Sequence, residues 1–217
     1  MRGGTLMASR IMHLAAAKQL LGDLPCGMSV PRFLTGEIMV DSAPAQRTLS
    51  HFLTLLDGRK TYDIACFRAA YGHLLLTDGL VMGYYMHLLQ DLVFRDYMYH
   101  TLRFNPRSPG YLTGLHSDYR RLNQLLIRHF DLHNDFNIAE TAEPLEAIAA
   151  FDMSGLPSAL TEDFTQPGAE EAFFFTMDMA LHYIGRAVAK CREELHAMKQ
   201  GMPLTDPKAW TWQTDPV

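Results

Sequence analysis

Cysteine is scarce in this chain of 217 residues: Cys26, Cys66 and Cys191 stand far apart and form no Cys-x-x-Cys pair. That excludes a disulfide framework and a thiolate zinc site, and a reducing, cytoplasmic setting is expected. Basic charge is not in excess either. Nineteen Lys and Arg against 24 Asp and Glu leave a net charge of −5, so the totals point to neither nucleic acid nor anionic lipid as a partner. No run reaches the roughly 18 apolar residues that span a bilayer. Arg10, His13 and Lys18 interrupt the apolar opening that a secretory signal needs. Strand-like alternation is also missing, whereas apolar residues recur at helical spacing.

What is plentiful is histidine, with ten. The apolar fraction of 48% is ordinary for a globular protein, and the length allows a substantial core. The spacing predicts helices over 6–22, 47–57, 62–76, 78–103 (with Asp78 as N-cap), 112–132 and 169–199. Residues 23–46 are rich in Pro and Gly and read as a loop with one helical turn at 33–36, residues 134–168 as mixed, and the end from Gly201 as irregular. Trp210 and Trp212 are candidates to pin that end to the body. No repeat or domain boundary is visible. The expectation is a single all-α domain over 1–217, a helical bundle with long loops.

One stretch stands out, GYYMHLLQDLVFRDY over 83–97. Between Val81 and Phe94 its polar side chains are His87, Gln90 and Asp91, which share one helical face. An imidazole and a carboxylate four residues apart reach one ion at about 2.0–2.2 Å, and a metal compensates a carboxylate held among apolar side chains. A solvent-facing stripe and a buried His–Asp hydrogen bond are the alternatives. Other polar residues sit in comparable places: His13 in RIMHLAAAK, Asp41 in GEIMVDSAP, His51 in LSHFL and His116 in LHSDYRRLN. Taken singly, each reads more simply as a satisfied core histidine, a turn aspartate or a solvated group. Asp118, two positions beyond His116, reads as a cap or a supporting partner.

The order His, Asp, His, His-x3-Asp, His, carried by ASRIMHLAAAK (8–18), FLTGEIMVDSAP (33–44), SHF (50–52), GYYMHLLQDLVFR (83–95) and LHSDYRRLN (115–123), resembles the zinc-dependent phospholipase C superfamily. That α-helical fold is shared with fungal single-strand nucleases. The resemblance covers 8–130 and implies one to three divalent ions at the base of a cleft, zinc first, with iron or manganese as substitutes. It further implies His13, Asp41, His51, His87, Asp91 and His116 as metal ligands, with Asp91 bridging. The family's further His-x3-Glu pair is absent, because Arg120 stands four after His116. One or two ions are therefore expected.

Such a site suits hydrolysis of a phosphodiester or phosphomonoester by activated water. Asp41 and Asp91 are the catalytic candidates, Asp41 either as ligand or as the group that orients or deprotonates water. The expected substrate is a small phosphate ester or a phospholipid-derived one, with Arg95 a candidate to reach its phosphate and Tyr84, Tyr85, Phe94 and Tyr111 candidates to line a head-group cleft. Asp178 and His182 form another four-spaced pair. The rivals are a metal-binding helical protein without turnover and an HD-type phosphohydrolase. The latter needs a His-Asp dipeptide, which does not occur. A di-iron bundle needs two Glu-x-x-His pairs, and Glu193 to His196 is the only one.

Overall fold

The first helix, α1 (Arg10–Leu20), begins where the Ser9 hydroxyl accepts the Met12 N–H. Ile11 to Ala17 are all buried, so α1 is apolar all round and lies inside the protein. The computed structural model describes residues 7–42, 47–106, 108–135, 138, 153–168 and 171–213. They are mostly helical, with a small three-stranded antiparallel sheet. The second interior helix is α5 (Gly79–Asp96). Asp78 caps it by accepting from the Leu80 and Val81 N–H groups, and every residue from Gly79 to Arg95 is buried.

Between these two lies α2 (Val30–Met39), continued by a 3-10 turn at Val40–Ser42. This replaces the loop expected over 23–46. Pro31 stands in the first turn, where its missing N–H costs nothing, and Gly36 marks a close approach rather than a break. A Cβ on Gly36 would meet Leu80 O at 2.2 Å, and one on Gly83 would meet Phe33 O at 2.0 Å. The two glycines let the backbones of α2 and α5 touch, which carries Glu37 and Asp41 up against His87.

Strands form despite the missing alternation. A one-turn helix α3 (Arg47–Ser50) leads into β1 (Leu53–Leu56) and β2 (Arg59–Tyr62), not into a helix over 47–57. Asp57 and Gly58 both take positive φ (50° and 75°), the backbone of a tight hairpin turn. The chain end adds β3 (Trp212–Gln213) beside β2, with Lys60 opposite Trp212. Trp212 packs at 5.1 Å against Tyr62 and 4.2 Å from the Arg95 guanidinium, so the tail is pinned to the body.

The remaining helices are α4 (Ile64–Tyr71), α6 (Tyr111–Phe130), α7 (Leu156–Thr165) and α8 (Met177–Gln200). After α5 comes a single π turn, Tyr97–Thr101. The final helix starts at Met177 rather than 169, because the Asp118 carboxylate collects the N–H groups of Phe173, Phe174 and Phe175 and holds that segment open. Much of the mixed segment over 134–168 lies outside the described residues. α8 packs on α1 and α5, and α6 on α1, closing one continuous apolar core. No described helix is long and apolar enough to cross a membrane.

Candidate metal centre

Five of the six sequence-derived candidates meet at one place in the interior: His13 from α1, Asp41 from the turn after α2, His51 just after α3, and His87 and Asp91 from α5. His13, His51, His87 and Asp91 are at most 1% exposed, and Asp41 is 8% exposed. His51 directly follows α3, and the Tyr84 hydroxyl of α5 donates to the neighbouring Ser50 O.

Each imidazole has its Nδ1 occupied. His87 Nδ1 donates to Glu37 O at 2.7 Å. His51 Nδ1 lies 2.8 Å from Ser50 Oγ and 3.2 Å from Arg47 O. His13 Nδ1 lies 2.8 Å from Gln90 Oε1, and Gln90 Nε2 donates to Glu37 Oε1 at 2.8 Å. A carbonyl oxygen only accepts, so His87 and His13 each carry a proton on Nδ1, whereas the Ser50 hydroxyl beside His51 Nδ1 can donate or accept. Nε2 of His51 and Nε2 of His87 face each other at 3.4 Å. Around them His51 Nε2 lies 3.5 Å from Asp41 Oδ1 and 3.5 Å from Asp91 Oδ2, and His87 Nε2 lies 3.9 Å from Asp91 Oδ2. His13 Nε2 lies 3.5 Å from Asp91 Oδ1, and its ring stacks on His87 at 3.9 Å.

These separations fit a cation better than hydrogen bonds. His13 Nε2, Asp41 Oδ1 and Asp91 Oδ2 are buried without a hydrogen-bond partner. Ligands held about 2.1 Å from one ion stand about 3.0–3.5 Å apart at octahedral or tetrahedral angles. Donor atoms of His13, His87 and Asp91, and of Asp41, His51 and His87, lie mutually within 4.8 Å. Asp41, His51 and His87 form a three-donor set, with Asp91 Oδ2 beside it at 3.5 Å from His51 Nε2. His13 and Asp91 Oδ1 extend it on the side where the Ala8 N–H approaches at 3.4 Å.

The electrostatics tell the same story. Burial opposes ionisation of Asp41 and Asp91, yet contacts from His51 and His13 respectively, and the fields of all three imidazoles, hold both carboxyls below their ordinary range. Burial, and then the His13 field, push His87 down to about 3. At His13 burial works against the cation, but Asp91 outweighs it and raises the pKa. Glu37 is driven well above the carboxylate range by burial, which keeps it neutral beside Gln90.

His116 is not part of this cluster. It is exposed and stands at a cleft of about 310 Å³ whose lining includes Asp41, Arg10, Arg47, Arg120 and Asp163. The position has a plain cause: α6 presents Tyr119 and Leu115 inward, and His116 is not among its buried residues. Asp118 serves the 173–175 segment rather than the centre. Arg95 is buried, donating to the Tyr62 hydroxyl at 2.7 Å, and cannot meet a ligand in the cleft. Tyr84, Tyr85 and Phe94 are core residues, while Tyr111 packs on Phe173 and Phe104 away from the cleft lining. Asp178, His182, Glu193 and His196 are exposed, as are His73, His100, His129 and His133.

Sequence reasoning missed Glu37 and Arg47. A lone Glu in the apolar run FLTGEIMV, four before Asp41, was the available signal for the first. No protein-family model matches this chain, and no curated protein or solved structure shows significant similarity to it.

Proposed function

We propose that the chain is a metal-dependent phosphoric ester hydrolase, arranged like the phospholipase C and single-strand nuclease superfamily, with zinc as the first candidate ion. The observation that carries this is the convergence of His51 Nε2 and His87 Nε2, 3.4 Å apart, with two buried carboxylate oxygens that have no hydrogen-bond partner, Asp41 Oδ1 and Asp91 Oδ2. Buried carboxylate oxygens that the fold leaves without donors are costly unless a cation compensates them.

Asp41, His51, His87 and Asp91 would hold the ion, with His13 available to a second through Asp91 Oδ1. Bound there, the ion supplies Lewis acidity toward a phosphoryl oxygen and toward water. In the hydrolysis, the water oxygen forms a new bond to phosphorus, the ester P–O bond breaks, and one water proton ends on the departing alcohol. Asp41 is the cluster carboxylate that lines the cleft, and there it would orient that water. Gln90 and Glu37 fix His13 and His87 from behind, as supporting residues do at metal centres.

The near-complete burial of the other ligands favours a second reading, an ion that closes the fold without turnover, since structural sites are closed. One experiment separates the two. Protein purified without an affinity tag is analysed for metal beside Asp91→Ala, then screened on aryl phosphate mono- and diesters. One or two equivalents of zinc, lost in Asp91→Ala together with hydrolysis, is the expected outcome. Zinc without hydrolysis of any ester favours the structural ion. Metal-free wild type that zinc, iron and manganese do not stabilise sinks both.

A further inference from the structure

The cleft above Asp41 carries more positive charge than its floor requires. Arg10 is already committed, with Nε 2.6 Å from Asp163 Oδ2. Arg47 reaches Asp41 only at 3.8 Å through Nη2, which is no hydrogen bond. Arg120 is exposed and has no ion pair among the described residues. Both guanidiniums lie near His116. Partial withdrawal from water, then the fields of Arg47 and Arg120, lower the His116 pKa.

The charge of the filled site follows by counting, and here the inference rests on the metal-centre reading above. Asp41 and Asp91 contribute two negative charges, one divalent ion cancels them, and imidazoles bound through Nε2 add none. Arg10 and Asp163 cancel each other. What remains among the described residues lining the cleft is Arg47 and Arg120, two positive charges above a neutral floor.

A phosphodiester brings one negative charge and a terminal phosphate brings nearly two at neutral pH. Guanidinium forks match the non-bridging oxygens of phosphate in pairs. The cleft volume of about 310 Å³ lies at the low end of ligand pockets, enough for a phosphate with a small alcohol attached.

We infer that Arg47 and Arg120 form the subsite for a dianionic terminal phosphate, so that the ester cleaved is a small phosphomonoester. The cleft takes the phosphate between the two guanidiniums and the metal floor, and the alcohol faces the solvent side.

The test uses the full chain loaded with zinc, its metal content measured first, and titrates it calorimetrically with inorganic phosphate and with dimethyl phosphate. Wild type, Arg120→Gln and Arg47→Gln are compared. Inorganic phosphate is expected to bind at least about tenfold tighter than dimethyl phosphate, and each substitution to weaken it about tenfold with zinc content unchanged. Arg120→Lys should recover part of that loss, since the charge returns without the fork. Equal affinity for the two anions, or phosphate binding indifferent to both arginines, would overturn the subsite and leave the metal centre standing. Failure to take up zinc at all would remove the metal centre and the subsite with it.

Discussion

Asp91, on α5, and Glu194, on α8, are both withdrawn from water, and the protein treats them in opposite ways. Glu194 is saturated. The Thr205 N–H approaches both its oxygens at 3.2 and 3.0 Å, the Thr205 hydroxyl donates to Oε2, the Tyr85 hydroxyl donates to Oε1, and Arg68 Nη1 stands 3.6 Å away. Asp91 has one weak hydrogen bond, from the Ala8 N–H at 3.4 Å, and Oδ2 has none. Its other neighbours are imidazole nitrogens at 3.5–3.9 Å. Asp118, with three backbone N–H groups, belongs with Glu194. Burial of a carboxylate is thus common to a structural pin and to a candidate site. What separates them is whether the fold itself supplies the donors.

The contrast breaks most visibly at Glu194. Glu194→Ala leaves the Tyr85 hydroxyl and the Thr205 N–H and hydroxyl without their acceptor, removes the carboxylate beside the Arg68 cation, and frees the tail that carries β3. A loss of about 3–5 kcal/mol is expected by urea unfolding, the same in chelator and in zinc. A loss below about 1 kcal/mol, or one that zinc repairs, would mean that Glu194 is no pin.

Asp91 should behave in the reverse manner. Zinc at a thousand times its dissociation constant is expected to stabilise wild type by about 4 kcal/mol, because it binds the folded state alone. Asp91→Ala should erase that increment while Glu194→Ala keeps it. An Asp91→Ala protein that gains as much from zinc as wild type would place the ion elsewhere.

The helix pair that brings the ligands together can be tested between these two. Gly83→Ala puts a methyl 2.0 Å from Phe33 O, a clash with backbone that no side-chain rotation relieves. A cost of about 2–3 kcal/mol is expected by thermal unfolding in chelator, with weaker zinc binding because His87 loses its hold on Glu37 O. Gln90→Leu is milder. It leaves His13 Nδ1 and Glu37 Oε1 unpaired, and zinc affinity by competition with a chromophoric chelator should fall about 10- to 100-fold. Unchanged affinity would reduce Gln90 to packing.

How far the sequence foretold this depends on how local each signal is. The His87–Asp91 face was legible because four residues of helix fix it, and so was the Asp78 cap. The Asp57–Gly58 hairpin was written in the chain as well, but Leu53, Leu55 and Leu56 mask the alternation that a strand shows. α2 was hidden for a physical reason. Pro31 and Gly36 look like breakers in isolation, and Gly36 is tolerated in mid-helix only because the α5 backbone needs the space. His116 was placed by its order in the chain, which does not say which side of α6 a residue faces. The link from Glu37 through Gln90 to His13 joins three helices, and no spacing along one chain segment encodes it.

The smallest expected effect concerns the pair that spacing alone nominated, Asp178 and His182. They repeat the four-residue separation of His87 and Asp91, but both are exposed at the start of α8, and His182 packs edge-on against Tyr97 with centroids 5.2 Å apart. Solvent satisfies them, so nothing there demands a cation. His182→Ala is expected to change stability by less than about 0.5 kcal/mol and to leave the zinc stoichiometry untouched. Elemental analysis of the variant decides it. Loss of an equivalent of zinc would show that spacing on a helix suffices without burial, and would dissolve the distinction between starved and satisfied carboxylates on which the assignment of Asp91 depends.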